Sequence, residues 1–245
     1  MTRTHPPFKS NLSALRNAQK PARGTAAYSR LINRPTGRIV AAWAHSVGMS
    51  PNQATVVSAF MSGTGIALIA LVDPTWWSGL LVSVLLAGGY VWDSVDGQLA
   101  RLRGGGSKSG EWLDHTIDCF KTITLHLAVL ISWYRFSPFD NDALLLVPIA
   151  FTVIAAATYF GLILMPTLRL PAPGLAADLP AEAWWRKYAI LPIDYGLHCW
   201  IFVLSGWWLG FTVLYCALAL ICGLAMAAAL RKWWRELQEI DANAS

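Results

Sequence analysis

The stretch VWDSVDGQLARLRGGGSKSGEWLDHTIDCFK, Val91–Lys121, decides how the rest of the chain is read. Asp93 and Asp96 are three residues apart, and Asp114 and Asp118 are four apart. On an α-helix either spacing brings the two side chains onto one face. The glycines 104–106 between the pairs predict a tight reversal, so the two helices run antiparallel as neighbours and the two acidic faces can meet. Four carboxylates then converge near one end of a helix pair.

Outward from that pair, the chain is too apolar for a soluble domain. Of its 245 residues 55% are hydrophobic and only 13% charged, where soluble domains hold about 25% charged, and the mean hydropathy is +0.44. About 20 apolar residues cross a bilayer, and six stretches qualify: 54–72, 78–100, 111–134, 143–165, 188–207 and 210–230. The expected fold is all-α, a six-transmembrane-helix bundle. Ahead of it, NRPTGRIVAAWAHSVGMSPNQ reads as an interfacial amphipathic helix, with Ile39, Val40, Trp43 and Val47 on one face and Arg34 and Arg38 at its polar edge. The expected organisation is a disordered basic arm over 1–28, a juxtamembrane helix over 29–50, the six-helix membrane domain over 51–232 and a cytoplasmic tail over 233–245. The opening residues contain no apolar core of a cleavable signal, so the internal helices are expected to drive insertion.

Charge sets the expected orientation. Lys and Arg crowd the N-terminal arm, the loop after the second span (Arg101, Arg103, Lys108), the loop after the fourth (Arg169, Arg186, Lys187) and the tail (Arg231, Lys232, Arg235). The opposite loops, VDPTWWSG, SPFDNDA and SGWWLG, contain none, and only Arg135 borders one of them. By the positive-inside rule both termini are cytoplasmic, as is the carboxylate end of the bundle. The net charge of +5 suits anionic headgroups and a phosphate-rich substrate rather than nucleic acid. Cys119, Cys199, Cys216 and Cys222 lie in apolar stretches without CxxC spacing and read as buried hydrophobes. The Trp doublets at span ends read as interfacial anchors.

Acidic residues in a membrane cost roughly 2.5–3.5 kcal/mol each at mid-bilayer on insertion scales, and four together repel one another. Divalent cations remove both penalties, and an all-oxygen donor set favours Mg²⁺ or Mn²⁺. Two ions suit displacement at phosphorus, where the attacking and leaving oxygens both need charge stabilisation. Gly97 and Ala100 follow Asp93 and Asp96 by one turn, and Gly110 precedes Asp114 by one, leaving a groove beside the carboxylates. Arg101 can grip phosphate oxygens bidentately, and the Gly-rich turn with Ser107 and Lys108 before a helix start is an anion cradle.

The pattern Asp93-x2-Asp96-Gly97-x2-Ala100-Arg101-x8-Gly110-x3-Asp114-x3-Asp118 matches, without a departure, the signature of the CDP-alcohol phosphotransferase family. The likeness extends over about residues 34–230, and the start of the first span, SPNQATVV, resembles the family's Pro-Asn-x-x-Thr motif. The resemblance implies that Asp93, Asp96 and Asp114 hold one metal ion and that Asp93, Asp114 and Asp118 hold or approach a second. It makes Asp118 the proton acceptor, and assigns Gly97, Ala100, Arg101, Ser107, Gly110 and Asn52, Gln53, Ala54 and Thr55 to the CDP moiety. A phosphoalcohol group, phosphatidyl in the bacterial phospholipid synthases, then passes from a CDP-alcohol to an acceptor hydroxyl with release of CMP. Family members are commonly homodimers, which is the expected assembly.

For the acceptor pocket the residues offer Lys121, one position short of a turn past Asp118, and the pair Asp194 and His198 in the fifth span. That span has no interior Lys or Arg; family members with phosphorylated acceptors usually place basic residues deeper, so the resemblance implies an unphosphorylated acceptor or a different binding geometry. His126, deep in the third span, reads as a satisfied interior histidine. The competing readings are a cation transporter or channel using intramembrane carboxylates, and a catalytically silent family member. A transporter spreads its carboxylates through the bilayer depth, whereas these gather beside an anion-binding turn, and a silent member should lack an Asp of the motif. In a variant stripped of native Cys, Ser107→Cys is expected to react with an impermeant maleimide from the cytoplasmic side alone. Labelling from the opposite side would refute this topology.

Overall fold

A computed structural model of the chain describes residues 7–18, 24–169 and 183–244. Among the described residues it is helical throughout, with α1 (Phe8–Asn17), α2 (Arg34–Ser46), α3 (Pro51–Leu71), α4 (Trp76–Leu102), α5 (Lys108–Phe136), α6 (Leu146–Leu168), α7 (Arg186–Ala189), α8 (Tyr195–Trp200) and α9 (Trp208–Ala244). A π-helical turn, Ser29–Asn33, leads into α2. The helices α3, α4, α5, α6 and α9 are long and apolar enough to cross a membrane, and the apolar segment Tyr195–Gly206 is shorter.

The starts and stops follow from local chemistry. Capping boxes open α3, where Ser50 and Gln53 exchange backbone and side-chain hydrogen bonds, and α4, where Thr75 and Ser78 do the same. The α4–α5 reversal uses Gly104 (φ 86°) and Gly105 (φ 139°), backbone conformations that a Cβ would strain. The amide of Gly105 returns to the Ala100 carbonyl at 2.9 Å, closing the end of α4. Ser107 then caps α5 by accepting from the Gly110 amide at 3.0 Å. The turn is also tied down from outside, because Arg103 Nη2 donates to the carbonyls of Gly48 and Met49 at 3.0 and 2.9 Å.

Small residues bring α3 and α4 together. Ser58 donates to the Gly89 carbonyl at 2.8 Å, and a Cβ on Gly89 would run into Ser62 Oγ. One apolar core joins these helices to α5, α6, α9 and the fifth segment through Leu86, Val129, Trp133, Phe151 and Tyr215.

Two expectations change. The fifth span, expected as one helix over 188–207, is broken into α7, a 3-10 turn (Leu191–Ile193), α8 and a second 3-10 turn (Ile201–Gly206). Pro192 has no amide to give, and Asp194 starts a new helix by accepting from the Gly196 amide at 2.8 Å. Six α-helical and six 3-10 residues rise by roughly 21 Å, short of the ~30 Å hydrocarbon core. The arm over 1–28, expected to be disordered, contains α1, whose Leu15 is fully buried against Ala41, Ala42 and Ala54; Asn11 donates to the Ala42 carbonyl at 3.2 Å. Residues 1–6 and 19–23 lie outside the described residues.

The helix expected on the membrane surface is present as α2. Ile39, Trp43 and Val47 are exposed, whereas Val40 turns inward onto the Leu15 cluster. Most Trp anchors also face outward, but Trp208 packs on the main core and Trp233 lies against Gly161.

Gly89→Leu should destabilise the detergent-solubilised protein by about 1–3 kcal/mol, the usual penalty of overpacking. Gly63→Ala, whose Cβ meets nothing within 4 Å, serves as the clash-free control in the same thermal melts and should melt no earlier than the parent chain.

Candidate active site

The antiparallel arrangement of α4 and α5 brings the acidic faces together as the spacing requires. One oxygen each from Asp93, Asp114 and Asp118 lies within 4.8 Å of the other two. These are hard oxygen donors, and Asp114 Oδ1 is buried without a hydrogen-bond partner. A buried carboxylate oxygen left this way calls for a cation, and a divalent ion of the Mg²⁺ or Mn²⁺ kind fits the set.

Asp96 is not one of these three but belongs to the same cluster. Its Oδ2 accepts from the Thr55 hydroxyl at 2.8 Å and its Oδ1 from the Gly97 amide at 2.5 Å. Both bonds fix the carboxylate in place and leave lone pairs on each oxygen. Thr55 therefore acts by holding Asp96 rather than by facing a ligand directly.

The positive charge at the site comes from Lys121. Its side chain is 9% exposed, and the ammonium lies 2.5 Å from Asp93 Oδ1 and 2.6 Å from Asp118 Oδ1 and donates to Ser58 Oγ at 3.3 Å. Ser58 in turn donates to the Gly89 carbonyl. Lys121 thus belongs to the carboxylate cluster as its internal counter-charge, directly beside Asp118.

Several residues expected on the nucleotide side do converge. A Cβ on Gly110 would come within 3.0 Å of Asn52 Oδ1 and 3.1 Å of Ser107 Oγ, so these three share one corner. Above Gly97 the only neighbour of a Cβ is Arg101 Nη1 at 3.7 Å, and Arg101 Nε is buried without a partner. That leaves a groove with a guanidinium beside it. Two expected contacts are elsewhere. Gln53 spends its side-chain oxygen on the Ser50 amide at 2.8 Å, and Ala54 is fully buried in the Leu15 cluster. Ala100 closes the helix end through its carbonyl and packs 3.8 Å from the position of a Cβ on Gly106.

The pair Asp194 and His198 divides. Asp194 is a structural cap, accepting from the Ser29 amide at 3.0 Å as well as from Gly196, and it ties the π-helical turn to the fifth segment. His198 faces a cavity and pairs its Nε2 with the Pro192 carbonyl at 3.0 Å. His126 shares a hydrogen bond of 2.8 Å with the Tyr215 hydroxyl and stacks on Phe151, as an interior histidine should. The sequence reading passed over Ser58 and Tyr159, and it took Tyr195 only as the neighbour of the Asp194–His198 pair. The two tyrosines are polar-tipped aromatics within apolar runs, a signal that composition alone does not separate from core packing.

Comparison with known proteins adds to this geometry. A model of the family described as CDP-alcohol phosphatidyltransferase matches residues 48–233. The phosphatidylinositol phosphate synthase of Corynebacterium glutamicum is 36% identical over 95 residues, 38% of this chain and 39% of that protein. The archaetidylinositol phosphate synthase of Pyrococcus horikoshii is 40% identical over 73 residues, 30% of this chain and 36% of that protein. Each alignment therefore spans well under half of the relative's own length. Two crystal structures of Mycobacterium tuberculosis phosphatidylinositol phosphate synthase share the fold at 21% identity. The form with CDP-DAG bound has a TM-score of 0.53, covering 83% of this chain and 94% of that one. The form with manganese and citrate has a TM-score of 0.55, covering 83% and 89%.

Lys121→Met removes the one cation that separates Asp93 from Asp118. Breaking a buried pair this way costs roughly 3–5 kcal/mol, so the metal-free variant should melt earlier than the parent chain. Added Mn²⁺ should then raise its melting temperature by more than it raises the parent's. Equal shifts for the two proteins would show that Lys121 does not share the cation site.

Proposed function

The chain belongs to the CDP-alcohol phosphatidyltransferase family, and from that premise we propose that it transfers a phosphoalcohol group from a CDP-alcohol to an acceptor hydroxyl, releasing CMP, in membrane-lipid synthesis. The observation that supports this reading best is the convergence of Asp93, Asp114 and Asp118 beside a groove bordered by Arg101 and Gly97. The match to two synthases of phosphoinositol lipids supports phospholipids as the product class, a phosphatidyl group as the transferred unit and CDP-diacylglycerol among the donors.

The residues divide the work. Asp93, Asp96, Asp114 and Asp118 would hold Mg²⁺ or Mn²⁺, and because Lys121 already offsets part of their charge, two divalent ions would need the diphosphate of the donor to complete the balance. When bound, such ions offset the carboxylates and the negative charge of the diphosphate. Arg101 would take the phosphate oxygens, with Asn52, Ser107 and Gly110 at the corner where the nucleotide lies. Gly97 keeps the groove open, because any larger side chain there would project toward the guanidinium. Asp118 would accept the proton of the attacking hydroxyl. The attacking oxygen forms a bond to the phosphorus bearing the alcohol, and the bond from that phosphorus to CMP breaks. A carboxylate among cations is a weak base, so it suits only a hydroxyl made more acidic by the same positive charge.

The enzyme would sit in the cell membrane as a homodimer, with both termini and the carboxylate end of the bundle on the cytoplasmic side. That side is the one where a soluble nucleotide leaving group can be released.

With Mn²⁺ or Mg²⁺, the purified chain should release CMP from a CDP-alcohol, CDP-diacylglycerol or CDP-choline being the first donors to try. Asp114→Ala should lower the rate by at least about 100-fold, the upper end of what loss of an outer-shell metal contact costs. Metal-independent release, or unchanged release by Asp114→Ala, would contradict the assignment.

A further inference from the structure

Residues 1–72 contain no Asp or Glu, while eight Lys and Arg fall within residues 1–38. Inside this acid-free run, α2 and the π-helical turn before it leave a row of large apolar side chains uncovered. Leu31, Ile32, Ile39, Trp43 and Val47 are each at least half exposed, and the last four recur at the seven- and four-residue steps of one helical face. The other face is spent on the protein. Gly37, Ala41 and Ala44 are buried there, and a Cβ on Gly37 would come within 2.7 Å of Ser94 Oγ. Arg30 and Arg38 belong to the same segment, the first exposed and the second partly so. An apolar stripe accompanied by cations, with no carboxylate to compete for them, fits a bilayer interface of negative headgroups. A zwitterionic leaflet would satisfy the stripe but not the charge.

The inner side of this segment is bonded to the elements that surround the carboxylates. At its start the Ser29 amide donates to Asp194 Oδ2 at 3.0 Å, and the Tyr28 hydroxyl accepts from Trp200 Nε1 at 2.9 Å. Gly196 has no room for a Cβ because the Tyr28 ring occupies the space. That ring also stacks on Tyr90, with centroids 6.3 Å apart, and Tyr90 lies three residues before Asp93. Midway, Gln98 Nε2 donates to the Arg34 carbonyl at 3.4 Å and to Ser94 Oγ at 3.1 Å, and Gln98 itself lies between Asp96 and Arg101. Past the end of α2, Arg103 holds the carbonyls of Gly48 and Met49. One surface segment thus grips the fifth segment, the stretch of α4 that carries Asp96 and Arg101, and the Gly-rich turn.

We propose that the face formed by Leu31, Ile32, Ile39, Trp43 and Val47 with Arg30 and Arg38 docks on anionic lipid headgroups, and that this docking, passed on through Tyr28, Ser29 and Arg34, steadies the carboxylate end of the bundle. The charge of the leaflet then sets how well the site is held. The docking stands by itself, whereas its effect on turnover rests on the transferase reading.

The test uses the full chain in nanodiscs of phosphatidylcholine, with or without phosphatidylglycerol as the anionic lipid. Hydrogen exchange is followed in both, as is CMP release with Mn²⁺ and CDP-diacylglycerol at one surface density. In the anionic discs the amides of residues 28–33, α2 and α8 should exchange about tenfold more slowly, given what each basic residue contributes at a negative surface. CMP release should rise severalfold, and both gains should shrink as salt is added. The double variant Arg30→Gln, Arg38→Gln should lose both gains and match the parent's rate in phosphatidylcholine alone. Mn²⁺ gathers at anionic discs whichever protein they hold, so this comparison removes that contribution. Should the double variant fail to fold, the salt series on the parent chain decides alone. Exchange of α2 that is equal in the two discs, as a second copy of the chain over the stripe would give, would overturn the proposal. So would slowing confined to α2, with α8 and the rate unmoved. Slowing in both α2 and α8 without CMP release in either disc would support the docking and overturn the transferase reading instead.

Discussion

Placing negative charge among packed membrane helices is the constraint around which the rest of this structure is arranged. Asp93 and Asp118 come from different helices and approach closely because the Lys121 ammonium lies between them at 2.5 and 2.6 Å. Without that cation the two helices would be pushed apart by charge that hydrocarbon cannot screen. The ammonium is itself seated by Ser58, and Ser58 is held by the Gly89 carbonyl. A small-residue contact between α3 and α4 therefore determines where the counter-charge sits. Packing and electrostatics are one device here.

The same logic separates the four carboxylates by environment. Asp96 has both oxygens engaged by Thr55 and Gly97, whereas Asp114 keeps a buried oxygen without a partner. The first arrangement fixes a side chain and the second leaves a demand for a cation. Around them the Gly-rich turn is pinned by Arg103 to the α2–α3 junction, and Ser107 is committed to capping α5. The turn is thus held in place at the end of α4, with Arg101 in the last helical turn before it.

How much of this could be read beforehand differs by feature. The helix pair and its acidic faces were legible because spacing of three and four residues has one meaning on a helix, and the Gly-rich turn has few alternatives. The fifth span was not. Its composition is apolar enough to cross, but Pro192 and Asp194 impose a break whose consequence depends on Ser29, more than 160 residues earlier, donating to the same carboxylate. For the same reason Asp194 read as a pocket residue when it is a cap. Helix α1 was hidden because its few apolar residues are weak evidence alone, and only the complementary face of α2 makes their burial worthwhile. Gln53 and Ala54 matched a motif by position, yet one is spent on a capping box and the other on the core. The cavity wall was the least legible part, since Thr122, Tyr159 and Tyr195 come from three helices and meet only in the folded bundle.

The role proposed for the carboxylates at this end of the bundle is a divalent-cation site that works together with a nucleotide. Equilibrium binding of Mn²⁺ to the detergent-purified chain, followed as loss of the free-ion electron paramagnetic resonance signal, tests it most directly. Binding should be saturable, tighten when CDP is added and be lost in the double variant Asp93→Asn, Asp118→Asn. A free Mn²⁺ signal that neither protein nor CDP diminishes, or one that the double variant diminishes equally, would contradict it.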